Sequence, residues 1–425
     1  MCVSYQTSKP IFPSSAKTSC ISTPQARECS ELLPALLCSA AMLFLWATPG
    51  HAEGRKALDG LRGVIEPKGV SIEADYTGEW VSDHSGAAEG KSFYLDTANI
   101  VVKFDLEKAL GWKGTSAHMH VLSTGGQRPS EKIGTLEGAT NIENGDARWR
   151  VYEFSLTQSF GANASLEAGY IDLNRYFYET ESSLLLVNPA FGIGTELAET
   201  GSNGPSIFPS TAPALVLALA PSKSSYVRLG VFGANSNSWG DPEPLKNFKD
   251  GVLTIGEVGL TKHGLIALGG WRYSDEVVVH SSHGGADKSY NPWGVYGLVE
   301  HPFVESETGR SVIGFLRAGY SDGKTSEMAG SITAGLLVER AISGRPHSQF
   351  SFGLRRAYFS DKFKEHAHAL HEEPLDQESG VELTYADQLG SALTLQGGIQ
   401  YAPEPGGLRG SQDALISNVR LTVAF

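Results

Sequence analysis

Beyond Cys38 the chain contains no cysteine; the four it has, Cys2, Cys20, Cys29 and Cys38, all fall in the first 38 residues. Disulfides, zinc clusters and thiol nucleophiles are therefore excluded from the bulk of the protein. Basic residues are also in deficit. Thirty-four Lys and Arg face 47 Asp and Glu, a formal net charge of −13. With no basic stripe to offset that charge, nucleic acid is a poor partner. Long apolar runs are missing too, apart from residues 32–49 near the start. A helical membrane protein needs several spans of about 20 apolar residues. No G-x-S-x-G elbow, phosphate-binding loop or dinucleotide fingerprint is present. Neither an enzyme nor a cofactor-binding protein is indicated.

The one apolar run, LLPALLCSAAMLFLWATP, follows Lys9, Lys17 and Arg27 and ends at Gly50-His51-Ala52, with small residues placed for cleavage before Glu53. It reads as a secretory signal over residues 1–52. The leader before it is longer than usual, so either the true start lies downstream of Met1 or the long leader is real. A retained membrane helix is the rival reading. The run continues past Cys38, and Leu37 precedes that cysteine, which argues against lipidation. An exported chain with no second apolar run is either periplasmic or a barrel in the outer membrane.

Alternation favours the barrel. In the last eleven residues Leu415, Val419, Leu421, Val423 and Phe425 share one face, and Asn418, Arg420, Thr422 and Ala424 the other. Similar segments recur at 69–80, 92–104, 114–123, 147–160, 163–172, 212–220, 224–234, 251–262, 264–274, 289–301, 310–321, 327–340, 347–360, 378–387, 391–401 and 414–425. That predicts about sixteen strands, an even number as in single-chain bacterial barrels. Forty-nine glycines and slightly negative mean hydropathy fit the same class. Short links such as 161–163, 221–223 and 262–263 alternate with long ones such as 124–146, 173–211, 235–250 and 361–377. Short turns at one rim and long loops at the other mark a membrane barrel. With both chain ends of the barrel in the periplasm, the long links lie outside the cell. Residues 53–68 form a short periplasmic segment, in which 57–65 can make a helix, and 69–425 the all-β barrel.

The longest link, 173–211, carries Tyr176, Phe177, Tyr178, Leu184, Leu185, Leu186, Phe191 and Phe208. A loop this apolar is expected to pack. We expect it to fold into the barrel and constrict it, the alternative being a cap on the outer rim.

Several ordered motifs resemble the carbohydrate-selective outer-membrane porins of the OprB family. Gly60-Leu61-Arg62 with Lys68-Gly69-Val70 is similar to that family's entry segment. Asp105 to Trp112 looks like its first periplasmic turn. Leu173 to Phe177 and Asn188 to Gly192 look like the ends of its constricting loop. Phe315 to Gly323, Gly344-Arg345-Pro346, Glu382 to Tyr385, Leu395 to Tyr401, Pro405-Gly406-Gly407 and the final Arg420-to-Phe425 strand continue the match. The resemblance implies passive diffusion of sugars, glucose-like monosaccharides among them, across the outer membrane. A broader porin for organic acids or other small solutes is the alternative within the fold; an outer-membrane barrel enzyme or adhesin is the alternative outside it. The implied partners are small sugars, outer-membrane lipid and lipopolysaccharide, and the barrel-assembly machinery, reached through the Phe425 strand. No cofactor or metal is implied.

A sugar channel needs a narrow wet passage with fixed hydroxyl partners and aromatic faces. Because the lipid face disfavours charge, Arg228, Arg272, Arg317, Arg355, Arg420, Glu167, Glu382, Gln396 and Gln400 are expected to point inward and line it, with Tyr176 and Phe177 on the loop. The alternative for each charge is a structural bridge between wall and loop. Trp271, Trp293, Tyr226 and Tyr296 are candidates for sugar stacking, the two tryptophans reading more readily as an interfacial girdle. Glu365-His366-Ala367-His368 with His371 fits no standard metal signature and reads as a solvated loop.

Overall fold

The computed structural model describes residues 60–425, except 146, 202, 238–250, 280–287 and 307–308. The proposed signal and residues 53–59 of the segment before the barrel lie outside the described residues. Residues 60–65 are helical and run into a 3-10 turn, Glu66–Lys68, ended by Gly69.

Sixteen antiparallel strands close into one barrel. They are β1 (Val70–Ser85), β2 (Ser92–Asp105), β3 (Thr115–Gly126), β4 (Arg148–Ser159), β5 (Ala164–Ile171), β6 (Ala212–Ser222), β7 (Ser225–Gly233), β8 (Val252–Leu260), β9 (Leu265–Tyr273), β12 (Trp293–Glu305), β13 (Ser311–Ser321), β14 (Met328–Glu339), β15 (Gln349–Phe359), β16 (Gln377–Leu389), β17 (Leu393–Ala402) and β18 (Ala414–Ala424). Two further short strands, β10 (Val277–Val279) and β11 (Lys288–Tyr290), form a separate ribbon between β9 and β12. The sequence reading joined β11 to β12. Pro292 separates them, because it has no N–H to give a ladder.

Closure removes every edge. β18 pairs with β1 in the register Asp75↔Ala424 and Tyr76↔Val423. The Phe425 N–H donates to the Ala74 carbonyl at 2.9 Å, and Arg62 donates to the Phe425 carbonyl at 2.6 Å. Among the described residues no helix is long and apolar enough to cross a membrane. The crossing is made by strands, whose backbone groups all pair laterally.

The outer face is apolar, with Leu229, Leu268, Val258, Leu316, Leu354 and Ile399 exposed. Aromatic rings mark both rims: Trp149, Trp293, Tyr320 and Tyr358 at the end bearing the long loops, and Trp112, Phe160 and Phe303 at the other. Such paired girdles sit at the two membrane–water interfaces. Trp293 belongs to the girdle, packed edge-on against Tyr320 at 6.1 Å.

Inward positions alternate with these, and most meet protein instead of water. The link 172–211 leaves β5, crosses the interior and reaches the β16–β17 wall, where the Gln396 amide donates to the Leu185 carbonyl at 2.7 Å. A second link, 127–147, also folds in and docks on the first: the Asn141 N–H donates to the Val187 carbonyl at 2.7 Å. Between β15 and β16, Asp361–Ala369 is a helix capped by Ser360. It carries His366 and His368, where the sequence suggested a plain loop.

Candidate permeation pathway

The constricting link is built from short turns with side-chain caps. Asp172 caps the 3-10 turn Leu173–Arg175 by accepting from the Asn174 N–H at 2.8 Å. Asn188 caps Pro189–Phe191 in the same way at 3.1 Å. The Asn174 amide then donates to both the Phe177 and Gly192 carbonyls, at 3.1 and 3.2 Å, tying the loop's outgoing and returning arms together.

Its apolar residues have a core of their own. Leu173, Phe177, Tyr178, Ile193 and Leu197 pack against the inward residues Phe232, Leu253, Ile255, Trp271, Tyr273 and Tyr296 of β7, β8, β9 and β12. Tyr178 stacks on Tyr296 with ring centres 4.1 Å apart. Farther across, Leu186 and Phe191 pack on Phe315. Each fully buried side chain of this size contributes about 1.5–3 kcal/mol. Gly353 on β15 makes room for this contact, since a Cβ there would overlap the ring of Phe191 and come within 2.6 Å of Leu186.

Polar wall residues then fix the loop backbone by a simple division of labour. Carboxylates accept from loop N–H groups. Glu382 takes Val187 and Asn188 at 2.6 and 3.0 Å, Glu257 takes Tyr178 at 3.0 Å, and Glu300 takes Ser182 at 2.7 Å. Cations and amides donate to loop carbonyls. Arg317 donates to Phe191, Tyr178 and Gly192, the last two at 3.2 and 2.9 Å. Arg228 donates to the Tyr176 carbonyl, and Gln400 to Ala139 at 2.7 Å. Arg355 and Glu378 hold the second link through Glu137, Thr135 and Leu136.

Several sequence expectations change accordingly. Arg317, Arg355, Glu382 and Gln400 do point inward, but they are buried beneath the infolded loops and do not face the passage. The sequence counted them as lining because it could not see that loop backbone would claim their hydrogen bonds. Phe177 is wholly buried between loop and wall, so it is unavailable for sugar stacking; Trp271 and Tyr296 are likewise buried. Arg272 points outward. Trp271 and Tyr273 take the inward positions beside it, against the loop core. Outward charge costs only about 0–1 kcal/mol near a membrane interface, against 2–4 at the midplane. The end of β9 tolerates it for that reason.

What stays open is the wall of β1 to β5 facing the loop's outgoing arm. Arg175 lies between Glu167 at 2.5 Å and Glu153 at 3.2 Å, with 32% of its side chain exposed. Tyr176 donates its hydroxyl proton to Glu167. Burial pushes that hydroxyl's pKa upward, and the bond to Glu167 adds to the shift. His118 contacts Glu153 at 3.3 Å, and His120 reaches Asn99 at 2.9 Å, which in turn donates to Asp75 at 2.8 Å. Arg420, at the far side, donates to Glu79, Thr140 and Asn141 at 2.9, 3.0 and 2.7 Å. Toward the short-turn end a cavity of about 680 Å³ opens, lined by Lys103, Asp105, His118, Glu167, Arg175 and Tyr176. Exposed Glu181 and Leu184 and half-buried Glu179 form the loop's lip. The sequence reading did not single out Asp75, Asn99, His118, His120 or Arg175 for the passage. Asp75, Asn99, His118 and His120 were signalled as polar residues at every second position of β1 to β3; Arg175 lies on the loop, where no such period applies.

Over residues 90–425 the chain matches the model of the carbohydrate-selective porin family OprB. It belongs to that family. Porin B of Pseudomonas aeruginosa is 21% identical over 413 residues, covering 86% of this chain and 90% of that protein. The high-pH structure of Pseudomonas putida OprB superposes with a TM-score of 0.76 at 20% identity, over 86% of this chain and 97% of the other. The outer-membrane channel DcaP of Acinetobacter baumannii gives a TM-score of 0.51 at 9% identity, over 84% and 97%. This OprB-family chain is an outer-membrane β-barrel porin for carbohydrates, with the fold of a channel and not of an enzyme.

Burial raises the Glu137 carboxyl to about 7, although Arg355 beside it opposes the shift. A carboxyl whose folded pKa lies above its ordinary 4.5 binds more protons folded than unfolded, so stability falls as pH rises from about 4.5 to 7. The porin is expected to melt higher at pH 5 than at pH 8. Glu137→Gln should flatten that difference, which calorimetry at the two pH values would read.

Proposed function

We propose that the passage selects single sugar rings by hydrogen bonding along the polar strip of Arg175, Tyr176, His118, His120 and Asn99, with buried Glu167 anchoring Arg175 and Tyr176 from behind. The observation that carries this reading is the setting of Arg175. Its guanidinium is held between two carboxylates and still partly exposed to the passage. Such an arrangement offers fixed donors and acceptors a few ångströms apart, which suits vicinal hydroxyls. The phenol face of Tyr176 adds an apolar surface for a ring's C–H groups. Of the residues expected from sequence, Tyr176 belongs to this strip, Glu167 is buried and anchors it, and Arg228, Arg420 and Gln396 border it.

Charge balance favours a neutral solute over an organic acid. The two carboxylates of Glu153 and Glu167 outweigh the single charge of the Arg175 guanidinium held between them. An anion approaching Arg175 meets this locally negative cluster. Passage on this reading is passive diffusion with no catalytic step. The closing strand that ends in Phe425 is the segment offered to the assembly machinery.

The test is swelling of liposomes carrying the purified porin. Arg175→Ala should slow glucose entry about tenfold, the loss expected for one charge-assisted contact of about 1.5–3 kcal/mol, with glycerol entry much less affected. Equal slowing of glucose and glycerol would mean that the channel had closed, not lost selectivity. Unchanged glucose entry would refute the assignment. Faster entry of gluconate than glucose in the wild type would favour the organic-acid reading.

A further inference from the structure

The outward position of Arg272 belongs to a larger feature. On the membrane-facing surface, near the end bearing the long loops, lies an open cleft of about 750 Å³. Its geometry follows from strand register. One row across the wall reads Thr254, Arg272, Trp293. The next row toward the membrane centre reads Leu229, Gly256, Gly270, Val295. Two adjacent glycines remove the side chains from the middle of that row. The result is a slot floored by bare backbone and flanked by Leu229 and Val295, each 50% exposed. Arg272 stands at its upper end, with Asn291 at 3.5 Å.

The fold itself asks little of those glycines, since a Cβ at either would need a neighbour to give by only a few tenths of an ångström. Neither has a positive φ. A Cβ on Gly270 would lie 3.3 Å from the Gly294 carbonyl oxygen, and one on Gly256 would lie 3.2 Å from the tip of Leu229, a side chain free to turn. Glycine weakens a strand and is kept where another molecule approaches closely. Arg272 has no carboxylate partner among the described residues, on a surface where a charge is otherwise disfavoured. Apolar slot and cation therefore ask for one amphiphile.

We propose that this cleft binds a phosphorylated lipid of the outer leaflet. One acyl chain lies over Gly256 and Gly270 between Leu229 and Val295. The phosphate meets the Arg272 guanidinium, with Asn291 and Thr254 as additional hydrogen-bonding groups. The Trp293 ring, 42% exposed, sits at headgroup level beside it. Guanidinium and phosphate form paired charge-assisted hydrogen bonds.

Native mass spectrometry of the detergent-purified porin tests this, with diphosphoryl lipid A as the probe. Phosphate-free lipid A and inorganic phosphate are the controls. The wild type should retain one diphosphoryl lipid through collisional activation. Arg272→Gln should lower its occupancy about tenfold, the size of one lost charge-assisted contact, and Gly270→Leu should lower it comparably by filling the slot that holds the acyl chain. Arg272→Gln should also erase the preference for the phosphorylated form, and Arg272→Lys should restore part of it. Heat-modifiable gel migration checks that each variant is folded, and glucose entry should be unchanged in all three. Equal retention by wild type, Arg272→Gln and Gly270→Leu would overturn the proposal. So would phosphate-free lipid bound as well as the phosphorylated one, or an oligomer of the wild type that Gly270→Leu dissociates, which would assign the cleft to a second copy of this chain.

Discussion

Replacing residues 181–190 by Gly-Gly is expected to raise single-channel conductance severalfold and to abolish the saturation of current block by glucose. The segment is the tip of the infolded loop and fills the space between its stem and the β16–β17 wall. Its removal spares the arms, because Asn174 already holds Phe177 and Gly192 side by side. The stem core of Leu173, Phe177, Tyr178 and Leu197 is also spared. Glu300, Glu382 and Gln396 lose their loop partners, but they would then face water in a widened lumen and be solvated. Planar-bilayer recording reads the outcome. Conductance equal to that of the intact chain would mean that the narrowest point lies elsewhere, at the second infolded link or along the polar strip.

Arg317→Ala is expected to release the same loop while leaving the barrel standing. Arg317 is 1% exposed and has no carboxylate within 4 Å among the described residues. Its charge is answered by three loop carbonyls and by the Tyr178 ring, 4.9 Å beneath the guanidinium carbon. Truncation leaves those carbonyls buried without donors and a void next to Phe191. On the order of 3 kcal/mol of docking energy is lost. The barrel ladders do not involve this side chain, so the opening is local. Hydrogen exchange should rise across residues 178–192 and stay unchanged in β1 and β18, and open-channel noise should increase. Arg317→Lys keeps the charge and up to three donors and should lie between. Loss of the heat-modifiable barrel in Arg317→Ala would show that the loop and barrel fold as one cooperative unit.

Much of the architecture was legible because a barrel obeys a period of two. Leu415, Val419 and Phe425 against Asn418 and Arg420 state which face is which, and a one-residue slip would put Arg420 into lipid. The long, apolar 173–211 link announced itself as packed. The site was less legible. Alternation says that Arg228, Arg317 and Glu382 face inward, but not whether they meet water, a sugar or a loop. That depends on where the link 172–211 comes to rest, far from these residues in the chain. Arg272 shows the limit of the rule itself: the cost of charge on the lipid face depends on depth, and depth is not written in the local pattern.

The sequence by itself determined a barrel of about sixteen strands, a last strand ending in Phe425, the rim that bears the long loops and an apolar 173–211 loop that must pack. Periodicity and length suffice for these, since both are local properties of the chain. That this loop enters the lumen and does not cap the rim was decided by the tertiary structure. The tertiary structure also decided which inward groups remain free. Burial of Arg317, Arg355 and Glu382 beneath loop backbone, exposure of Arg175 between Glu153 and Glu167, and the cleft at Gly256, Gly270 and Arg272 all depend on contacts between segments distant in sequence. No local pattern encodes those contacts.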